Sequence, residues 1–316
     1  MGAGDLVALV EKRFGRAVTA ATPFYEAPEK AVYRFEIDGG EPLVARLFPA
    51  DRPGERVAGD AAILRYLEAE GVPAERVVTA LDGSPSLRLG DRGVLVTRLI
   101  PGGPPDLSAG PLEQMGALLG RLHALPAPAP GDRHLARRAG SLPREDLAVA
   151  RTWLASAEAT LPRQHRALHD TLRRAVEATH DCEDLPLALT HPDCHPGNMV
   201  LTPEGRVVLF DWDGAGQGPR VAALGVLLYS CAIGPPFGPP VAPDLSRVDP
   251  IMRGYTRHAA LSHGEQSHLP DAVRFRPLAV AARTLAETAC RGEALPTAAW
   301  WAGYERAEEI AERASA

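Results

Sequence analysis

The residues with the clearest capacity for chemistry lie in one run, THPDCHPGNMVLTPEGRVVLFDWDGAGQGPR, at positions 190–220. Pro192 biases His191 towards extended backbone, so Asp193 falls in a loop after the apolar stretch 187–190. Asn198 completes a D-x-x-x-x-N spacing. After it come Met199-Val200-Leu201, a turn at 202–205 and a return run at 207–210, which together read as a hairpin. Antiparallel pairing would bring Asp211 back beside Asn198. An amide oxygen and a carboxylate oxygen converging in this way suit Mg2+, which binds through few protein oxygens and takes its other ligands from water and phosphates. Asp193, in the same loop, could accept the proton of an attacking hydroxyl. His191, Asp193 and His195 also alternate as zinc ligands might be imagined to do, but the prolines at 192 and 196 fix a loop and no further ligand pair follows. Cys194 reads as a packed thiol, and Trp212 as a core ring covering the turn.

These groups need a scaffold to hold them. Over the first hundred residues the text is mixed: a short opening helix, apolar strand patterns at 32–37, 42–48 and 93–97, and a helix over 56–70 in which Val57, Leu64 and Leu67 recur at helical spacing before Gly71-Val72-Pro73. Pro101-Gly102-Gly103-Pro104-Pro105 then breaks the chain. Beyond it, helical periodicity runs through 112–125, 145–161, 165–179, 248–258, 271–291 and 298–313, with Pro-rich connectors at 125–130 and 235–243. The pattern predicts an α+β chain of two lobes, a small strand-rich one at 1–100 and a larger helical one at 101–316.

The set HPDCHPGN and LFDWDGAG resembles the motifs of the aminoglycoside phosphotransferase and choline kinase group, whose fold is protein-kinase-like. The resemblance implies Asp193 as catalytic base with His191 supporting its loop, Asn198 and Asp211 as Mg2+ ligands, and Asp213 beside the metal. It implies ATP or GTP as phosphoryl donor. Strand 42–48 resembles the one carrying the phosphate-contacting cation, with Arg46 in the place of Lys. Its acidic partner is then expected at Asp60, on the apolar face of the following helix, where an unpaired acid would be costly. The connector from Thr97 through Leu99 to Ile100 would meet the adenine with backbone groups. His123, in a segment resembling the family helix that ends in Leu-His, reads as structural.

Three departures accompany this resemblance. The loop from Tyr25 to Ala31 has no glycine where a phosphate-covering loop is Gly-rich, and Lys30 is the charge it offers instead. Pro192 stands where the family often has Gly. Ala223 occupies a region where the family usually carries an Asp-Leu pair.

Composition narrows the partners. Net charge is −6, and no Lys/Arg run makes a nucleic-acid footprint. The first twenty residues contain an acidic amphipathic stretch and lack the basic start and unbroken apolar core of a signal peptide, and no apolar run reaches the ~20 residues of a membrane span. A cytoplasmic location is expected, and the scattered Cys182, Cys194, Cys231 and Cys290 suit reducing surroundings. Three functions fit: a kinase for a hydroxylated small molecule such as an antibiotic or another metabolite, a kinase for Ser or Thr of a peptide, or a kinase-shaped binding module. For the first, Asp249, Glu265, Asp271 and Glu287 are acids that could meet a cationic acceptor. For the second, Trp300, Trp301 and Tyr304 could line a groove.

Overall fold

The computed structural model describes residues 2–27, 30–52, 54–128, 131–140, 142–234, 242–291 and 304–316. Helix α1 (Ala3–Phe14) buries Leu6, Val10 and Phe14, one residue per turn. Strands β1 (Val18–Glu26), β2 (Ala31–Ile37), β3 (Leu43–Leu47), β4 (Leu87–Leu89) and β5 (Arg92–Arg98) form an antiparallel sheet in the order β1-β2-β3-β5-β4. Alternate residues of β5 serve opposite faces. Val94 and Val96 pack with α1, while Leu95 packs with Val57, Ala61 and Leu64 of helix α2 (Gly54–Ala69). Arg46 pairs with Leu95 across β3 and β5, so it shares the α2 face. The predicted strands and the 56–70 helix appear within two residues of their expected bounds. The sequence patterns miss β1, which is exposed along nearly all its length and lacks alternation, and the three-residue β4.

The rest of the chain is largely helical: α3 (Ala109–His123), α4 (Pro143–Glu158), α5 (Arg166–Ala178), strands β6 (Leu187–Thr190), β7 (Met199–Leu201), β8 (Val207–Leu209) and β9 (Gly216–Pro219), then α6 (Arg220–Ala232), α7 (Val248–Thr256), α8 (His263–Ser267), α9 (Leu269–Arg291) and α10 (Ala307–Ser315). No apolar stripe announces α6, because every residue from Val221 to Ala232 is buried. Helix α3 crosses α7 at main-chain contact distance. A Cβ at Gly116 would overlap the Ile251 carbonyl, and one at Gly254 the Glu113 carbonyl. Of the helix expected at 298–313, α10 is the regular part described, and Trp300 and Trp301 lie outside the described residues.

The hairpin β7–β8 is stitched to its surroundings on both edges. Leu201 N donates to Gly103 O at 2.8 Å, and Leu209 N to Pro73 O at 3.1 Å. Gly102, at φ +132°, lets the connector lie against β7, since a Cβ there would overlap the Leu201 carbonyl. Among the described residues no helix is long and apolar enough to cross a membrane.

Candidate active site

Strand β6 delivers His191, which is fully buried and edge-on to Trp212 with ring centroids 5.0 Å apart. Its Nδ1 accepts the Asp193 N–H at 3.2 Å, so Nε2 carries the proton and donates to Phe210 O at 3.0 Å. One imidazole thereby ties the Asp193 loop to the end of β8. Burial lowers the His191 pKa despite nearby Asp211 and Asp193, which favours this neutral form. Trp212 is buried as well and donates Nε1–H to Leu209 O at 3.0 Å.

His195 performs a second orienting task that the sequence reading did not assign. Its Nδ1 accepts Gly197 N–H at 3.0 Å, leaving Nε2–H to donate to Asp193 Oδ2 at 3.1 Å. Asn198 Nδ2 donates to the Asp193 carbonyl at 2.9 Å and to the same Oδ2 at 3.3 Å. Both neighbours thus hold Oδ2, and Oδ1 of this half-exposed carboxylate is left for another donor. Partial burial opposes ionisation of Asp193, but the hydrogen bond from His195, with the Arg276 charge behind it, brings its pKa down to about 2. Arg276, on α9, donates to the Pro192 carbonyl at 2.7 Å and contacts Asp146 of α4 at 3.0 Å. It braces the loop from below, a task Ala223 cannot perform.

The hairpin forms with Met199 opposite Leu209 and Leu201 opposite Val207, and Phe210 N donates to Asn198 O at 2.9 Å. Asp211 therefore follows directly beside Asn198. It holds φ +60°, a left-handed conformation that is uncommon outside glycine and costs energy. Its Oδ1 is buried without a hydrogen-bond partner. Asn198 spends its amide hydrogens on Asp193, which leaves its oxygen as an acceptor. Two hard oxygens, one of them an orphan in the interior, fit a divalent cation such as Mg2+.

Three cations approach Asp211 and Asp213, and a fourth stands behind them. Lys30 Nζ lies 3.7 Å from Asp211 Oδ1 and 3.6 Å from Asp213 Oδ2, which places its charge at the site. Arg46 Nε stands 4.0 Å from Asp211 Oδ1, and Arg52 pairs with Asp213. Arg137, from the segment between α3 and α4, pairs with Asp60.

The expected Arg46–Asp60 pair does not form. Arg46 makes a two-armed bridge to Glu75, at 2.8 and 2.5 Å, and Asp60 is held by Arg52 and Arg137 instead. Asp60 is buried, as its place on the apolar face required, but its counter-charges come from the α2 entry loop and the second lobe. Burial pushes its pKa up, and the two guanidinium groups oppose that. Glu75 sits in the loop after α2, and its Oε1 also accepts Asp211 N–H at 3.2 Å. No periodic pattern marks Glu75; the one signal was a Glu-Arg pair in an otherwise apolar stretch, VPAERVV.

In the connector, Thr97 is buried and faces Val44 and Val77, and Leu99 N is committed to Pro42 O at 3.0 Å. Neither has a free N–H for a nucleobase. Among the described residues the Ile100 N–H has no partner. The four acids considered for a cationic acceptor are each paired within the chain, Asp249 with Arg313 and Glu287 with Arg283 at the surface, Asp271 with His268, and the buried Glu265 with Arg220. Tyr304 lies under Arg274, 5.5 Å from ring centroid to guanidinium. Cys182, Cys194 and Cys231 are buried free thiols, and burial raises the pKa of each.

This constellation of a loop aspartate, a following asparagine and an aspartate after a hairpin, under an antiparallel sheet, is that of a phosphotransferase with a two-lobed, α+β, protein-kinase-like fold. The family model described as the phosphotransferase enzyme family, APH, matches residues 24–261, and the chain belongs to that family. Among solved structures it is similar to an amicoumacin kinase in complex with AMP-PNP, Ca2+ and Ami, at 18% identity and TM-score 0.70, covering 99% of this chain and 94% of that one. It is similar to a spectinomycin phosphotransferase in complex with ADP and spectinomycin, at 16% identity and TM-score 0.65, covering 100% and 98%. An aminoglycoside phosphotransferase from Alicyclobacillus acidocaldarius matches at 18% identity and TM-score 0.66, covering 98% and 92%. No curated protein sequence matches the chain.

Proposed function

We propose that this phosphotransferase moves the terminal phosphoryl group of ATP or GTP to a hydroxyl of a small molecule, an antibiotic or another natural product, in the cytoplasm. The observation that carries the reading is the division of labour at Asp193: His195 and Asn198 occupy Oδ2, and Oδ1 is free to meet an acceptor hydroxyl. With a pKa of about 2 this carboxylate is ionised at any physiological pH but is a weak base. It therefore orients the hydroxyl and takes its proton late, which suits a loose phosphoryl-transfer transition state governed by position and charge.

Asn198 and Asp211 would hold Mg2+, with Asp213 alongside, and the bound ion would neutralise phosphate charge. Arg46, pinned by Glu75, presents its remaining Nε–H towards Asp211 and the phosphates. Burial would lower its pKa, but the charge and hydrogen bonds of Glu75 raise it, so the guanidinium stays charged. Lys30 would close over the phosphates from the β1–β2 loop. The adenine would lie against the connector after Thr97, meeting the Leu99 carbonyl side and the Ile100 N–H. Small-molecule ligands in the similar kinases, spectinomycin and Ami among them, support an acceptor of that size. The pairing of the acids of α7 to α9 with side chains of the same chain favours a neutral acceptor over a polycation.

The test is transfer of labelled γ-phosphate from Mg-ATP to a panel of hydroxylated natural products, with Asp193→Asn as control. Transfer by the native protein and a loss of 10²–10⁴-fold in the variant are expected. Failure to phosphorylate any member while Mg-ATP binds would overturn the reading.

A further inference from the structure

Between the start of α2 and the segment at 137–140, three guanidinium groups, Arg52, Arg56 and Arg137, stand against two carboxylates, Asp60 and Asp213. Arg52 bridges Asp60, at 2.8 Å, and Asp213; Arg137 pairs with Asp60, donates Nε–H to Ala215 O at 2.8 Å and Nη1–H to Arg56 O at 3.0 Å. Both acids are thus consumed. Arg56 is half-buried, and among the described residues its guanidinium has neither an ion pair nor a hydrogen bond. It is also directed. A Cβ at Gly140 would lie 2.7 Å from Arg56 Nη2, and one at Gly214 3.4 Å from it; the same Gly214 Cβ would lie 3.6 Å from Pro192 Cγ. The head group therefore sits over two bare glycines joined by a Gly140 N to Gly214 O bond of 2.8 Å, between Asp213 and the residue preceding Asp193.

We propose that Arg56 is an oxyanion-binding residue that takes a phosphate-type anion into the crease lined by Gly140, Gly214 and Pro192, the anion being either the terminal phosphate of the nucleotide or a phosphate on the acceptor. The proposal rests on the phosphotransferase reading and adds a ligand to it. Burial together with Arg137 and Arg52 lowers the Arg56 pKa, and Asp60 and Asp213, already committed to those two arginines, only partly offset this. A bound anion completes the offset and receives the planar fork that suits phosphate oxygens. The absence of side chains at positions 140 and 214 is what lets the Arg56 head group lie there, against the backbone and beside Pro192.

The experiment is calorimetry on the native protein, Arg56→Gln and Arg56→Lys, each titrated with Mg-ATP, with Mg-ADP, with inorganic phosphate alone, and with inorganic phosphate after saturation with a non-hydrolysable ATP analogue. Thermal melts confirm folding, which this unpaired residue does not support. If the anion is the nucleotide's, Arg56→Gln weakens Mg-ATP at least tenfold and Mg-ADP less than twofold, and Arg56→Lys recovers part of the loss. If it is the acceptor's, nucleotide affinities are unchanged and the phosphate binding seen with the analogue bound is lost in Arg56→Gln. Equal affinities of the native protein and Arg56→Gln for every probe would overturn the proposal. Native protein that binds no nucleotide would instead defeat the phosphotransferase reading; phosphate binding on its own that disappears in Arg56→Gln would still support the site, and its absence from the native protein would end it.

Discussion

Glu75 grips the Arg46 guanidinium with both carboxylate oxygens, at 2.8 and 2.5 Å, in a bridge that is almost entirely buried. Removing one member of such a pair strands the other charge in the interior. Glu75→Ala is expected to lose about 3–5 kcal/mol in denaturant unfolding. Arg46→Met combined with Glu75→Leu is expected to restore most of that stability without restoring nucleotide affinity, which separates the folding role of the pair from the phosphate role proposed for Arg46.

The His195 contact predicts a pH signature. His195→Ala removes the hydrogen bond that does most to hold the Asp193 pKa down at about 2, so the acid limb of kcat moves up towards the ordinary aspartate value of about 3.9. The loss of kcat at neutral pH is roughly tenfold, smaller than in Asp193→Asn, with KM for ATP little changed. Steady-state pH profiles of the two variants check this.

His123 sets a stability slope. It is buried against Tyr255, with its Nδ1 3.0 Å from the phenol oxygen, and burial, with Arg220 nearby, lowers its pKa from 6.5 to about 3. Below pH 6.5 the unfolded chain gains a proton that the folded one refuses, so stability falls with falling pH by about 1.4 kcal/mol per unit until about pH 3. Above pH 6.5 this group contributes no slope. His123→Gln should flatten the acid limb of unfolding free energy by that amount, measured by denaturant titration at successive pH values.

The α3–α7 crossing admits no side chain at its contact points. Gly116→Ala and Gly254→Ala each press a methyl against a main-chain carbonyl of the facing helix, which cannot rotate away. Each is expected to lose about 1–3 kcal/mol or more, and thermal melts read the loss directly. Gly110→Ala, on the same α3 but with open space around it, should be neutral or slightly stabilising.

The Asp193 loop and the hairpin were legible as structure because their information is local: prolines, a turn and a short spacing fix where Asp193, Asn198 and Asp211 must go. The two-lobed division was legible for a similar reason, a change of periodicity at Pro101. Glu75 was not, since its claim on Arg46 depends on a loop folding back 29 residues later in the chain. Helix α6 was hidden by its own burial, because a segment apolar all round has no stripe to read. His195 was visible as a residue but not as a role; only the tautomer imposed by Gly197 N–H turns its other nitrogen towards Asp193.

The position of Glu75 also changes what could switch the enzyme. In protein kinases the phosphate-contacting cation is paired with an acid on a mobile helix, and swinging that helix turns activity on and off. Here the acid belongs to a loop that is bonded to β8 through Pro73 and Ala74 and to Asp211 through its own carboxylate. Displacing α2 would break the contacts of Asp60 and leave Arg46 where it is. If Arg46 grips phosphate as proposed, its tie through Glu75 to the hairpin that ends in Asp211 would keep it in place without a helix swing, and such an enzyme would be governed by the supply of what it binds.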